Sequence, residues 1–208
     1  DVIVGAYSYD NGNNNEGAAF VYHGSASGLS LTSNWSGEIN LDLAFFGFSV
    51  STAGDVNGDG YSDIIVGAYG YGNNSGAAFV YHGSAFGLSV SSNWFKFGTQ
   101  AISKFGNSVS TAGDVNGDGY SDVIIGAITF DNGQAEEGAA FIYHGSPSGL
   151  SSSSNWSAEG NQFFAYFGSS VSSAGDLNGD GYSDVIVGAP NYSDKGAAYV
   201  FYGGNSEA

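Results

Sequence analysis

Gly54–Asp63 reads GDVNGDGYSD, and the chain repeats it as GDVNGDGYSD at Gly113–Asp122 and as GDLNGDGYSD at Gly175–Asp184. Counted from its first Asp, each copy carries Asp, Asn, Asp and Asp at positions one, three, five and nine, with Gly at position six. Calcium takes roughly six to eight oxygen ligands in a flexible shell, and a short loop can supply them when alternate residues point inward around a tight bend. The pattern predicts Asp55, Asn57, Asp59 and Asp63 as side-chain ligands and Tyr61 as a backbone carbonyl ligand. The equivalents are Asp114, Asn116, Asp118, Tyr120 and Asp122, then Asp176, Asn178, Asp180, Tyr182 and Asp184. An EF-hand would need a Glu at position twelve between helices; here that position is Val66, Ile125 or Val187, and the flanks read as strands. Asn-Gly and Asp-Gly are also favoured turn dipeptides, so one copy could be a plain polar turn. Three copies that each keep all four oxygen side chains point to three calcium sites.

Working outward, the repeat extends over the whole chain. DVIVGA and its near copies start at Asp1, Asp63, Asp122 and Asp184, with spacings of 62, 59 and 62 residues. GAAFVYHGS or a relative starts at Gly17, Gly76, Gly138 and Gly196; SNW ends at Trp35, Trp94 and Trp156; and FGFSVSTAG, FGNSVSTAG and FGSSVSSAG precede the three acidic loops from Phe46, Phe105 and Phe167. Short β-rich runs are broken by Gly, Asn and Ser clusters, and no helical period is sustained. The expected strands are a small-residue first strand such as Ser49–Gly54, a second buried on both faces such as Asp63–Ala68, a third at Ala77–His82, and a fourth around Ser92–Phe97 that carries the Trp. Four strands per unit of about sixty residues predict an all-β chain, a β-propeller.

FG at the start of the unit, the acidic loop, and an apolar strand ending in Gly-Ala, with Gly-Ala-Pro itself at Gly188–Pro190, resemble the FG-GAP repeat of integrin alpha-subunit propellers and of many bacterial surface and secreted proteins. The resemblance implies four-stranded blades, usually seven to a ring, with calcium bracing the loop between the first and second strands. It divides residues 1–208, a single propeller region, into a partial unit over 1–45 and units over 46–104, 105–166 and 167–208. The four strand types occur three, four, four and three times, so two copies of the chain cannot close a seven-bladed ring in register. Further repeats of a longer propeller, or a homo-oligomer, are the expected ways of completing the ring.

The chain has 208 residues, 42% of them hydrophobic, enough for a sizeable core. Twenty acidic residues against three lysines give a formal charge of −17, which argues against nucleic acid, whose phosphates are held by Lys and Arg. Three bound divalent ions would bring that charge to −11, so folding and metal binding should be coupled. Sites of this kind fill where calcium is plentiful, which favours an extracellular or cell-surface setting. Cysteine is absent, and no apolar run is long enough for membrane insertion.

No catalytic constellation emerges. Gly-x-Ser-x-Gly is only approached by GSASG at Gly24, no phosphate loop followed by Lys appears, and the acids outside the loops, Glu16 and Glu137 among them, are scattered along the chain. His23, His82 and His144 recur in one Tyr-His-Gly context, which points to a shared structural role. Trp35, Trp94 and Trp156 could pack an outer strand onto the neighbouring blade or form a sugar-stacking platform. The expected function is a non-catalytic, calcium-stabilised binding or adhesion module for a protein or glycan ligand. Alternatives are a lectin-like propeller and a self-assembling surface filament.

Overall fold

The run Asp63–Ala68 has three consecutive β-branched side chains and no polar face, as suits a strand covered on both sides. In the computed structural model, which describes residues 1–205, all six of its residues are buried. The described residues build four successive antiparallel sheets of three or four such strands. β1 (Val2–Ala6), β2 (Ala18–Tyr22) and β5 (Trp35–Glu38) form the first, with the small hairpin β3 (Gly24–Ser25) and β4 (Gly28–Leu29) on the connection between β2 and β5. β6 (Ser49–Gly54), β7 (Asp63–Ala68), β8 (Ala77–Tyr81) and β9 (Trp94–Phe97) form the second. β10 (Phe105–Gly113), β11 (Asp122–Ala127), β12 (Ala139–Tyr143) and β13 (Trp156–Glu159) form the third. β14 (Ser170–Gly175), β15 (Asp184–Ala189) and β16 (Ala197–Phe201) form the last. This is the expected all-β propeller architecture, a series of blades whose strands run in sequence order.

The motif residues that recur in sequence are the places where blades meet. The first strands β6, β10 and β14 lie side by side, and Ser49 Oγ and Ser108 Oγ donate to the carbonyls of Gly106 and Gly168 in the next blade at 2.8 and 2.7 Å. Short parallel bridges pair Gly17 with Phe46, Gly76 with Phe105 and Gly138 with Phe167. A Cβ at Gly67 would stand 2.0 Å from the Gly106 carbonyl oxygen, and one at Gly126 equally close to Gly168. Gly5, Gly67 and Gly126 of the Gly-Ala strand ends are thus where the next blade's backbone passes, and the Phe of each FG is buried in such a joint.

The tryptophans complete the joint at the outer edge. Trp35, Trp94 and Trp156 sit edge-on to Tyr81, Tyr143 and Phe201 of the following blade, with ring centroids 4.9, 5.1 and 4.8 Å apart. Trp35 Nε1 donates to the Ser89 carbonyl and Trp94 Nε1 to that of Ser151, at 2.9 and 3.0 Å. The preceding Asn of each SNW accepts the backbone N–H of His23, His82 or His144. Of the two roles the sequence leaves open for these rings, the structure assigns blade packing. The outer strand begins at Trp94 rather than Ser92, and the β3–β4 hairpin has no counterpart in the expected strands, because GSASGL carries no apolar alternation.

Candidate metal centres

Antiparallel order sorts the connections to two ends of each blade. The acidic loops join first to second strands, so they share an end with the connections from third to fourth strands. The connections between second and third strands, and those entering the next blade, lie at the opposite end.

The three acidic loops have nearly the same internal geometry. In the first, Asp55 accepts the backbone N–H of Gly58, Asp59 and Gly60 at 2.7, 3.0 and 2.8 Å. Asn57 Oδ1 accepts from Asp59 N and its Nδ2 donates to Asp59 Oδ2, while Asp59 Oδ1 accepts from Tyr61 N. Asp114, Asn116, Asp118 and Tyr120, and Asp176, Asn178, Asp180 and Tyr182, repeat these bonds. Position nine differs in kind. Asp63, Asp122 and Asp184 are fully buried, and each takes one backbone N–H on each oxygen: Val56 and Gly83, Val115 and Gly145, Leu177 and Gly203. They are also the first residues of β7, β11 and β15, so the loop is tied to the sheet through its last acid.

Each loop therefore gathers its five predicted residues within one turn of chain, with hard oxygen donors of the kind calcium prefers. Among the described residues, no three acidic or histidine side chains converge closely enough to grip an ion as they stand; the carboxylates turn to their own backbone N–H groups. The electrostatics favour a cation all the same. Burial pushes the Asp122 carboxyl up to about 7, and the charges of Asp118 and Asp114 push it in the same direction. Asp63 is likewise raised, by burial first. A divalent cation in the loop would offset both penalties, so the residues fit calcium in donor chemistry and charge.

Two features of the site escaped the sequence. His82 Nδ1 lies 3.1 Å from Asn57 Nδ2, and His144 Nδ1 the same distance from Asn116 Nδ2. His23 is exposed, and Tyr202, which replaces the histidine in the last unit, is 66% exposed. The tyrosines expected to ligate through their carbonyls also use their rings: Tyr120 covers Gly58 of the preceding loop and Tyr182 covers Gly117. The sequence signal for the histidines is their recurrence in one Tyr-His-Gly context after the third strand, which does not show that two of them reach the Asn of an acidic loop.

The opposite end carries apolar side chains on constrained backbone. Leu43, Ile102 and Phe164, each three residues before the FG phenylalanine, have φ of 59°, 65° and 58°, a region costly for bulky residues. They are exposed by 53%, 60% and 51%. Bonds to the neighbouring loop hold this conformation, such as Leu43 N to the Asn14 carbonyl at 2.7 Å and Phe164 N to that of Ala135 at 2.9 Å. Beside them Phe45 and Tyr69 stack at 4.9 Å, and Phe48 meets Tyr69 edge-on. Glu16 and Glu137, scattered in sequence, are buried staples of this end; Glu137 accepts the backbone N–H of Asn132 and Asn161. Among the described residues no helix is long and apolar enough to cross a membrane.

The FG-GAP repeat family matches residues 46–81, 105–143 and 167–201, in each case from the FG phenylalanine to the end of the third strand. Integrin alpha-5 of Xenopus laevis is 34% identical over 168 residues, which is 75% of this chain and 15% of that protein. Integrin alpha-PS3 of Drosophila melanogaster is 35% identical over 157 residues, and integrin alpha-V of Gallus gallus 34% over 170. The chain spans about 15% of the length of these relatives. With the family model matching more than half of its residues, the chain belongs to the FG-GAP repeat family.

Proposed function

We propose that residues 1–208 act as one calcium-stabilised propeller module that binds a protein or glycan partner outside the cell or at its surface, without catalysis of its own. The observation that carries the reading is the thrice-repeated acidic loop with a buried carboxylate at position nine, in a chain of a family that includes integrin alpha subunits. In each loop Asp55, Asn57, Asp59 and Asp63, or their equivalents, would hold the ion by side chain, with Tyr61, Tyr120 or Tyr182 contributing a carbonyl. The ion would supply positive charge among crowded acids. Asp63, Asp122 and Asp184 would transmit its bracing effect to the second strand that each begins.

Partner binding fits the end away from the acidic loops, where Leu43, Ile102 and Phe164 stand out on backbone held by the neighbouring loop. Such placement gives an apolar surface that does not have to be ordered on binding. A sugar-binding platform made of the three tryptophans loses its footing, because those rings are engaged between blades.

The test is thermal melting of the chain in calcium and in excess EGTA. At free calcium of about one hundred times Kd each site adds about 2.7 kcal/mol, so chelation should lower Tm by many degrees. Identical melting curves would overturn the calcium reading.

A further inference from the structure

The joint between the first and second blades and the joint between the second and third differ at two positions, counted from the Trp of the outer strand. In the first joint Gly37 lies beneath the Trp35 indole, where a Cβ would be 2.5 Å from the ring, and Ile39 packs against the cluster that holds Phe46, Phe79 and Tyr81. In the second joint the same positions, two and four residues after Trp94, are Lys96 and Gly98. Gly98 offers no such cover, and the joint opens into a cleft of about 230 Å³ walled by Phe105, Phe130, Phe141 and Tyr143, with Lys96 among its lining residues. The backbone cannot accept a filling side chain at that glycine without moving. A Cβ on Gly98 would stand 2.0 Å from the Ser75 carbonyl oxygen, and Gly98 N donates to the Gly76 carbonyl at 2.9 Å. After Trp156 the glycine recurs as Gly160 but Ala158 takes the place of the lysine, so the glycine and the cation coincide at the second joint.

The walls are aromatic and packed on one another. The Phe105 ring lies 5.8 Å from that of Phe141 and meets Tyr143 edge-on at 6.4 Å, while Phe130 meets Phe141 edge-on at 5.7 Å. Such walls take a further ring edge-on or offset, and an apolar cavity of about 150 Å³ is already enough for benzene. The rim carries charge. Lys96 is half-buried, and its Nζ donates to the Ser152 carbonyl of the third blade at 2.6 Å. With no carboxylate paired to it among the described residues, the ammonium keeps its charge for a ligand. Burial pushes the Tyr143 hydroxyl up to about 12, so it stays a neutral donor. Lysines number three against twenty acids, so an anion would be held here by local contact, against the field of the whole chain.

We propose that this cleft binds a small aryl carboxylate, with its ring against Phe105, Phe130 and Phe141 and its carboxylate on the Lys96 ammonium. The volume suits a ligand of about ten non-hydrogen atoms, for which per-atom efficiencies give a Kd on the order of 0.1–1 mM. The ring supplies the apolar contact, and the charge-assisted bond to Lys96 selects the acid over a neutral molecule of the same shape. The site goes beyond the calcium reading and does not rest on it, since none of these residues belongs to an acidic loop.

The experiment is an amide NMR titration of the 208-residue chain, in buffer containing calcium, with 3-phenylpropionate as the probe. We expect saturable shifts at Gly98, Phe130, Phe141 and Ser153. 3-Phenylpropanol, which keeps the ring and lacks the charge, should bind about tenfold more weakly. Lys96→Met should weaken the acid about tenfold and leave the alcohol unchanged, while Lys96→Arg should keep the preference for the acid. The same spectra report whether each variant is folded; if Lys96→Met is not, the comparison of acid with alcohol in the unaltered chain decides alone. No saturable shifts at the cleft, shifts centred instead on exposed rings such as Phe163, equal binding of acid and alcohol, or equal loss of both in Lys96→Met would overturn the proposal. None of these outcomes touches the calcium reading, which stands or falls on the melts in EGTA.

Discussion

Asp63 and Asp59 are both acids of one loop, yet their surroundings give them different work. Asp63 is fully buried and caps the N–H groups of Val56 and Gly83, at 2.9 and 2.8 Å. Asp59 is exposed and bonds only within the loop. Asp63→Ala would strand two donors away from water, at about 1–3 kcal/mol each, and should lower stability by about 3 kcal/mol even in EGTA. Asp59→Ala should cost under about 1 kcal/mol in EGTA, the scale of an exposed contact, but should remove most of the calcium-dependent stabilisation of its site. Urea denaturation of both variants with and without calcium separates the two roles. At this scale the acidic and amide side chains that share each loop were legible in the sequence, because spacing along one loop is a local property. The brace from His82 was not, because Asn57 and His82 meet only after β7 and β8 have paired.

At the scale of elements, the blade joint is made by glycine. β7 can lie against the entry of the next blade because Gly67 has no side chain where the Gly106 carbonyl stands. Gly67→Ala should force the blades apart and destabilise the chain by about 3 kcal/mol, the upper range for overpacking. Gly188→Ala is the control. Its Cβ would meet the Ser170 hydroxyl at 2.4 Å, a side-chain atom that can rotate away, and the cost should be under about 1.5 kcal/mol. Guanidinium titrations of the two variants give the comparison, and equal losses would refute the account of the joint. Strand identities were legible here, since Ser49–Gly54 and Asp63–Ala68 are the observed bounds of β6 and β7. The hairpin β3–β4 was not, because its residues are small, polar and exposed.

For the whole molecule the dominant long-range term is charge. At −17 the chain repels itself, and salt shortens that repulsion to a Debye length of about 8 Å at physiological ionic strength. Melting temperature in EGTA should therefore rise with sodium chloride, and the rise should be smaller in saturating calcium, where ions screen the acids from within. A salt series of melts under both conditions checks this; parallel slopes would contradict it. The sequence by itself determined the repeat, the strand types, the acidic loops and the family resemblance, because each depends on residues close together along the chain. Only the tertiary structure decided that Trp94 packs on Tyr143 and bonds Ser151, that Glu137 is a buried staple, and that the first two acidic loops are each covered by the blade after them. The contacts between blades join residues some sixty positions apart, and no local period records which blade stands next to which loop.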